Sequence, residues 1–489
     1  MLKNTFYPTV FMTVALLLFA LLVVPQAFAV TFTVNSTEDQ PDDLTMIGTC
    51  HTAVNTCTLR AAVMQANRAV EGATIMLPSG IYKLTIPAAG ADGEENGDLN
   101  LTTPAIGTPF ITISGAGAST TIIDGGKLDN VFHRVLHVHP NRLAAISGVT
   151  IRNGYAAGAG TNPYGGGIFN EGLLTVSNAA VSGNYSNVLG GGILNWGTLT
   201  VINSTISQNM GYYSGGGIQN WGIYSTLTVI NSTISQNNTV TDGAAGLGAD
   251  GHGGGILNYD GNLFVTSSTI SNNSSNYGGG IEQSGGSVKI VNSTISGNKA
   301  MTDGGGIYDF DGTTDVYNST ITQNSADYDR DPNGGSGGGV YVDAQLAQFG
   351  IYGTVNLRNT LVAGNDVANA PIPDDCKGTI NSYGVNLFSD FTGCTVINDV
   401  LAYSGYFTGG LGPLQNNGGP TWTHALLPGS NAIDGGDQVK GCIGPDGLLL
   451  VKDQRGAERA AGIFQLCDIG AFEYGAILPR LYLPLILRN

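Results

Sequence analysis

The sequence predicts an all-β fold: a parallel β-helix in coils of about 25 residues, with an N-terminal capping helix and a disulfide-containing C-terminal cap. Three observations predict it. Of 489 residues 74 are Gly, about double the usual ~7%, and only 11% are charged. The triplet Gly-Gly-Gly-Ile begins at Gly165, Gly190, Gly215, Gly253, Gly278 and Gly304, and Gly-Gly-Gly-Val at Gly337, so the commonest interval is 25 residues. Such a period marks a solenoid. Within each unit, apolar and small polar residues alternate, as in Leu199-Thr200-Val201, which is the period of short strands. With 18 Pro and no glycine at every third position, collagen is excluded; 42% hydrophobic residues exclude a charge-rich disordered chain.

Each element then has a reason. Residues 1–29 read as a secretory leader: Lys3, an apolar run over 10–24, and Ala27-Phe28-Ala29 as cleavage site. Residues 30–110 read as an N-terminal cap with the first irregular coils. There Thr58 is placed to N-cap a helix over 57–67, whose stripe Leu59, Val63, Ala66 and Val70 would close the exposed edge of the first coil. Residues 75–86 and 111–123 look like early coils.

Residues 111–375 carry the repeats, each unit holding three short strands. Gly serves corners that need positive φ or close backbone approach. Asn recurs at two other places. Asn203, Asn231, Asn292 and Asn318 open Asn-Ser-Thr-Ile runs, which match a glycosylation sequon but read as corners because they recur once per coil. Asn184, Asn209, Asn237, Asn273, Asn298 and Asn324 close the unit, at positions where stacked amides can form a ladder. Residues 376–475 lack the triplets and read as a separate C-terminal module; 476–489 form an apolar tail. The six cysteines, all outside 58–375, pair most simply by proximity as Cys50–Cys57, Cys376–Cys394 and Cys442–Cys467.

Cys57-Thr-Leu-Arg-Ala-Ala-Val-Met-Gln-Ala-Asn67 resembles the CSLREA-type motif of bacterial secreted β-helix proteins, with Thr58 and Ala61 in place of Ser and Glu. The triplets and Thr-Ile-Ser-x-Asn runs resemble the repeats of polymorphic outer-membrane proteins. Asp453-Gln-Arg-Gly456, Cys467-Asp-Ile-Gly-Ala-Phe-Glu-Tyr474 and Gly418-Gly-Pro-Thr-Trp-Thr-His-Ala-Leu426 resemble the choice-of-anchor Q domain. The resemblance implies a right-handed coil and a secreted or cell-surface bacterial protein without an assigned activity.

The net charge of −17 disfavours nucleic acid and favours basic partners or divalent cations. No second stretch is long enough to span a membrane once the leader is removed. The sixth residue after the first Gly of each triplet is Glu171, Trp196, Trp221, Tyr259, Ser284, Phe310 or Asp343. Trp196, Trp221, Tyr259 and Phe310 are therefore the candidate carbohydrate-binding residues, facing outward at strand spacing. Acids gather in two insertions before the triplets; Asp327, Asp329, Asp331 and Asn333 offer alternating oxygens for Ca2+. His133, His137 and His139 form one His cluster, with no clear fourth metal ligand. Gly251-His-Gly253 matches one element of pectin-degrading hydrolases, but the companion Asn-Thr-Asp and Arg-Ile-Lys elements are missing, so His252 reads as a loop residue. No catalytic residue is assigned. The expectation is a non-catalytic β-helix that binds an extracellular glycan or a surface protein, with Ca2+ as a candidate ion; the alternative is a polysaccharide lyase or hydrolase.

Overall fold

The three glycines of each triplet each do something a larger residue cannot. The first takes positive φ, from 60° at Gly253 to 70° at Gly304. A Cβ on the second would collide with backbone: at Gly254 it would lie 2.5 Å from the Ser274 carbonyl oxygen and 2.6 Å from that of Gly279. The third faces a buried amide, so a Cβ on Gly255 would lie 3.0 Å from Nδ2 of Asn273. The triplet is the corner at which successive coils approach most closely.

The structure is a computed structural model that describes residues 29–44, 48–88, 93–103, 109–126, 133–157, 163–239, 251–328, 334–344, 347–368, 372–398, 404–438, 440–459 and 466–478. One coil shows the plan. After Gly190 come strands Ile193–Asn195, Thr198–Ile202, Thr205–Ser207 and Met210–Gly211. Ile193, Leu199, Val201 and Ile206 point inward and are fully buried. Each sits beside its counterpart in the next coil: Ile218, Leu227, Val229 and Ile234. Like residues therefore stack in parallel register into one continuous apolar core from Phe32 to Phe388. The first two strands of a coil belong to one large sheet and fuse into single strands at Ile281–Val291 and Ile307–Tyr317. The Thr-Ile-Ser strands form a second sheet. Beyond the three strands expected, many coils add a two-residue strand.

The two Asn positions separate cleanly. Those that open Asn-Ser-Thr take the left-handed conformation, as at Asn203 (φ 48°) and Asn231 (φ 49°), and are corners. Those that close the unit are buried and bond in series, from Asn184 through Asn209, Asn237, Asn273, Asn298, Asn324 and Asn365 to Asp375, at 2.9–3.0 Å. A second ladder, not expected, runs from Asn170 through Asn195, Asn220 and Asn258 to Gln283, each bond 2.7 Å.

At the N-terminal end the helix is Leu59–Arg68, with Thr58 Oγ1 accepting from the Ala61 N–H at 3.1 Å. Leu59, Val63 and Ala66 join the core, but Val70 lies past the helix end and is exposed, so it does not belong to the stripe. Arg60 is buried and grips Asp39 through Nε and Nη2 at 2.7 and 3.1 Å, tying the helix to the entering chain. The disulfides are Cys50–Cys57, Cys376–Cys394 and Cys442–Cys467, as proximity suggested.

Coil stacking does not stop at 375. Cys376–Ser382 pairs with Gly353–Arg358, Cys394–Ile397 pairs with Cys376–Ser382, and Leu387–Phe388 pairs with Gly405–Tyr406. Among the described residues, those after 406 do not extend the stack. They turn back along its side and lie against the Thr-Ile-Ser sheet. Gln454 is the main peg: its Oε1 accepts from Thr294 at 2.6 Å, and its Nε2 donates to Thr269 Oγ1 at 3.0 Å and Thr421 Oγ1 at 2.9 Å. Buried His424 meets Ser296 Oγ at 2.8 Å, and Arg459 donates to Asn292 at 3.0 Å. Residues 479–489, most of the apolar tail, lie outside the described residues, as does the leader up to 28.

Candidate functional site

On the first strand of each coil the alternation sends Ile and Asn inward and the two residues between and after them outward. In the coil at Ile193 these outward residues are Leu194 and Trp196. Because coils stack in register, the outward positions form columns. With the residue just before each triplet they make one face, which runs from His137 to Tyr341 over seven coil steps, about 34 Å at ~4.8 Å per step.

The first half of that face is aromatic. Trp196 packs edge-to-face on Phe169 (5.1 Å between centroids) and on Trp221 (5.8 Å), and Trp221 on Tyr259 (5.7 Å). Tyr164 joins Trp196 at 5.8 Å. Trp196 and Tyr259 are 39% and 42% exposed, so the row presents ring surface to solvent rather than hiding it. Of the four candidate carbohydrate residues, Trp196, Trp221 and Tyr259 therefore form a continuous row. Phe310 stands apart, beyond Ser284, against Tyr308 at 6.5 Å. Phe169 and Tyr164 extend the row and were missed, because neither occupies the sixth position that defined the column.

The second half is acidic and phenolic. His252 is not a simple loop residue: its Nδ1 lies 2.8 Å from Oε1 of Glu282 in the next coil, and its ring stacks on Tyr277 at 5.6 Å. Glu282 is buried, which pushes its carboxyl above the usual range against the opposing pull of His252. Tyr308 donates to Asp343 at 2.6 Å, and burial with this bond raises its phenol. Burial likewise raises Asp303, which accepts from the Ser336 N–H at 2.8 Å. Asp309 is also buried; neither of its oxygens closes a hydrogen bond, and burial pushes it up to about 8.

Of the Ca2+ candidates, Asp327 is buried in a left-handed turn (φ 51°), and its N–H donates to the Thr302 carbonyl. Asp329, Asp331 and Asn333 lie outside the described residues. His133 is buried apart, its Nδ1 on the Arg134 carbonyl at 2.6 Å. His137 and His139 stack at 3.8 Å beside Glu171, at the N-terminal end of the aromatic row. Registering 136–139 on 168–171 pairs His137 with Phe169 and brings Glu171 alongside, a signal present in the repeat. Among the described residues no helix is long and apolar enough to cross a membrane.

No family model matches the chain, and no curated protein does. Among solved structures it is similar to that of pectate lyase Pel9A, at 14% identity over 91% of this chain and 98% of that one, with a TM-score of 0.47.

Proposed function

We propose that this is a secreted or cell-surface β-helix protein, of the CSLREA and choice-of-anchor Q kind, whose outer face binds an extracellular glycan without cleaving it. The observation that carries this reading is the row Trp196–Trp221–Tyr259, in which Trp196 and Tyr259 are exposed and Trp196 is seated on buried Phe169. Edge-to-face contacts hold each ring in place, worth about 0.5–1.5 kcal/mol per pair, so little side-chain entropy is left to lose on binding. An aromatic face with polar neighbours suits the apolar flank of a pyranose ring. The three disulfides fit an oxidising compartment.

The test is retention on a glycan array or immobilised polysaccharide. A Trp196→Ala/Trp221→Ala double variant loses retention by roughly tenfold or more while far-UV circular dichroism shows the coils still folded, since truncated aromatic anchors cost upwards of about 1–2 kcal/mol. Unchanged retention sinks the reading. The reading includes a Ca2+ ion on the 327–333 segment. Adding millimolar Ca2+ then raises the melting temperature, and Asp329→Asn abolishes the rise; a flat titration removes the ion from the account.

A second reading, polysaccharide cleavage, rests on the His252–Glu282 pair, in which a buried carboxyl with a raised pKa has the character of a general acid. Release of new reducing ends or unsaturated products from polyuronates, abolished by Glu282→Gln, would replace the binding reading with this one.

A further inference from the structure

We infer that His137, His139 and Glu171 form a binding site for a divalent transition-metal ion of the zinc class. The two His flank Val138 at the edge of strand Leu136–Val138, so both side chains leave on the outer face. Glu171 follows Ile168–Asn170 in the next coil, and the register that sets Phe169 against His137 brings Glu171 level with His139. One ligand atom from each residue lies within 4.8 Å of the others, and His137 Nε2 is 2.8 Å from Glu171 Oε2. A tetrahedral shell with bonds of ~2.0–2.1 Å needs donors about 3.3 Å apart, so small side-chain rotations close it.

The surroundings hold the donors in position. His137 is buried, with its ring between His139 at 3.8 Å and Phe169 at 4.7 Å, so it cannot swing away. The Asn100 amide donates through Nδ2 to the Gly93 carbonyl at 3.1 Å, which turns its Oδ1 toward His139 Nε2 at 2.8 Å. That oxygen can only accept, so His139 carries its proton on Nε2 and keeps Nδ1 as the lone-pair nitrogen. A carbonyl oxygen that fixes the tautomer in this way is the usual outer partner of a ligating His. Two imidazoles and one carboxylate select Zn2+, Co2+, Ni2+ or Cu2+ over Ca2+ and Mg2+, which prefer all-oxygen shells. The ion takes the place of the proton shared by His137 and Glu171. The Glu171 side chain is 23% exposed, so a fourth position opens to solvent, beside the first ring of the aromatic row.

The test is calorimetric titration of the tag-free, chelator-stripped protein with ZnCl2, with Co2+ absorption as a second readout. The expected result is one tight equivalent and the visible bands of tetrahedral Co2+. A His137→Ala/His139→Ala double variant loses both. Glu171→Gln, which leaves the ring packing alone, weakens Zn2+ binding by at least the roughly 10–100-fold that loss of an outer partner costs. The same amount of CaCl2 gives no heat that Glu171→Gln removes. Zn2+ binding equal in wild type and Glu171→Gln, or absent in the wild type, overturns the assignment.

Discussion

At the scale of single residues, stacking like on like makes the odd residue informative. The inner column Asn170, Asn195, Asn220, Asn258 and Gln283 bonds amide to amide, and Asp309 takes the next place by register with Gln283. An amide carries both donor and acceptor; a carboxylate carries only acceptors, so it cannot continue the series. Asp309 therefore sits buried, and burial raises its carboxyl to about 8, with Asp311 adding to the rise. Its unfolded value is 3.8. Between about pH 4 and 8 the folded state holds a proton that the unfolded state has released, so stability falls as pH rises and the loss is complete above about 8. Asp309→Asn should flatten this dependence and stabilise the protein at pH 8 by more than about 1.4 kcal/mol, the value of one pKa unit. Denaturant melts at pH 5 and pH 8 measure it; a variant whose two midpoints still differ as in wild type contradicts the argument.

At the scale of elements, the C-terminal segment is where a motif turns out to be a docking device. Asp453 accepts from the N–H groups of Arg455, Ala457 and Glu473, which shapes the loop, and Arg455 lies over Phe472 at 3.6 Å. The loop then presents Gln454 to Thr269 and Thr294 of the Thr-Ile-Ser sheet. Losing that one side chain strands the buried Thr294 hydroxyl, at about 1–3 kcal/mol, and removes the bonds to Thr269 and Thr421. Gln454→Ala should thus expose the segment after 406 to limited proteolysis while the coils stay intact. Acid should act in the same direction. Burial lowers the His424 pKa below 6.5, so below that value the released segment binds a proton that the docked one does not. Proteolysis at pH 5 matching that at pH 7, in both wild type and Gln454→Ala, counts against the peg.

At the scale of the whole molecule, a solenoid turns a short repeat into a long surface. Each coil adds one position to a column, so the aromatic row is as long as the number of coils that keep an aromatic there. A glycan that follows the row gains contacts coil by coil. In the binding reading, affinity rises with oligosaccharide length and levels off once the chain spans Trp196 to Tyr259, two steps or roughly 10 Å. Affinity independent of length, seen by competition with graded oligomers, would point to a single pocket instead. A cleft of about 260 Å3 lies between the Thr-Ile-Ser sheet and Trp422.

The coil, its corners, its core column and the Asn ladder were legible in the sequence because each is a local demand repeated coil after coil, and the disulfide pairing because each partner is the nearest Cys along the chain. Positive φ at Gly165 or Asn203 and an inward Ile at every turn follow from one unit, and repetition removes the ambiguity that a lone Gly or Asn would carry. What only the tertiary structure decided involves residues far apart in sequence or outside the repeat. Glu282 meets His252, Glu171 meets His137, and Gln454 reaches Thr294 because neighbouring coils or a returning segment bring them together. The expected end of the stack at 375 failed for the same reason: strands 376–382 and 394–397 pair without the triplets, since the core needs only apolar residues at the inward positions. Periodicity fixes what a residue does within its own coil; contact between coils is set by register, which insertions of different length conceal in one dimension and the stacked backbone restores in three.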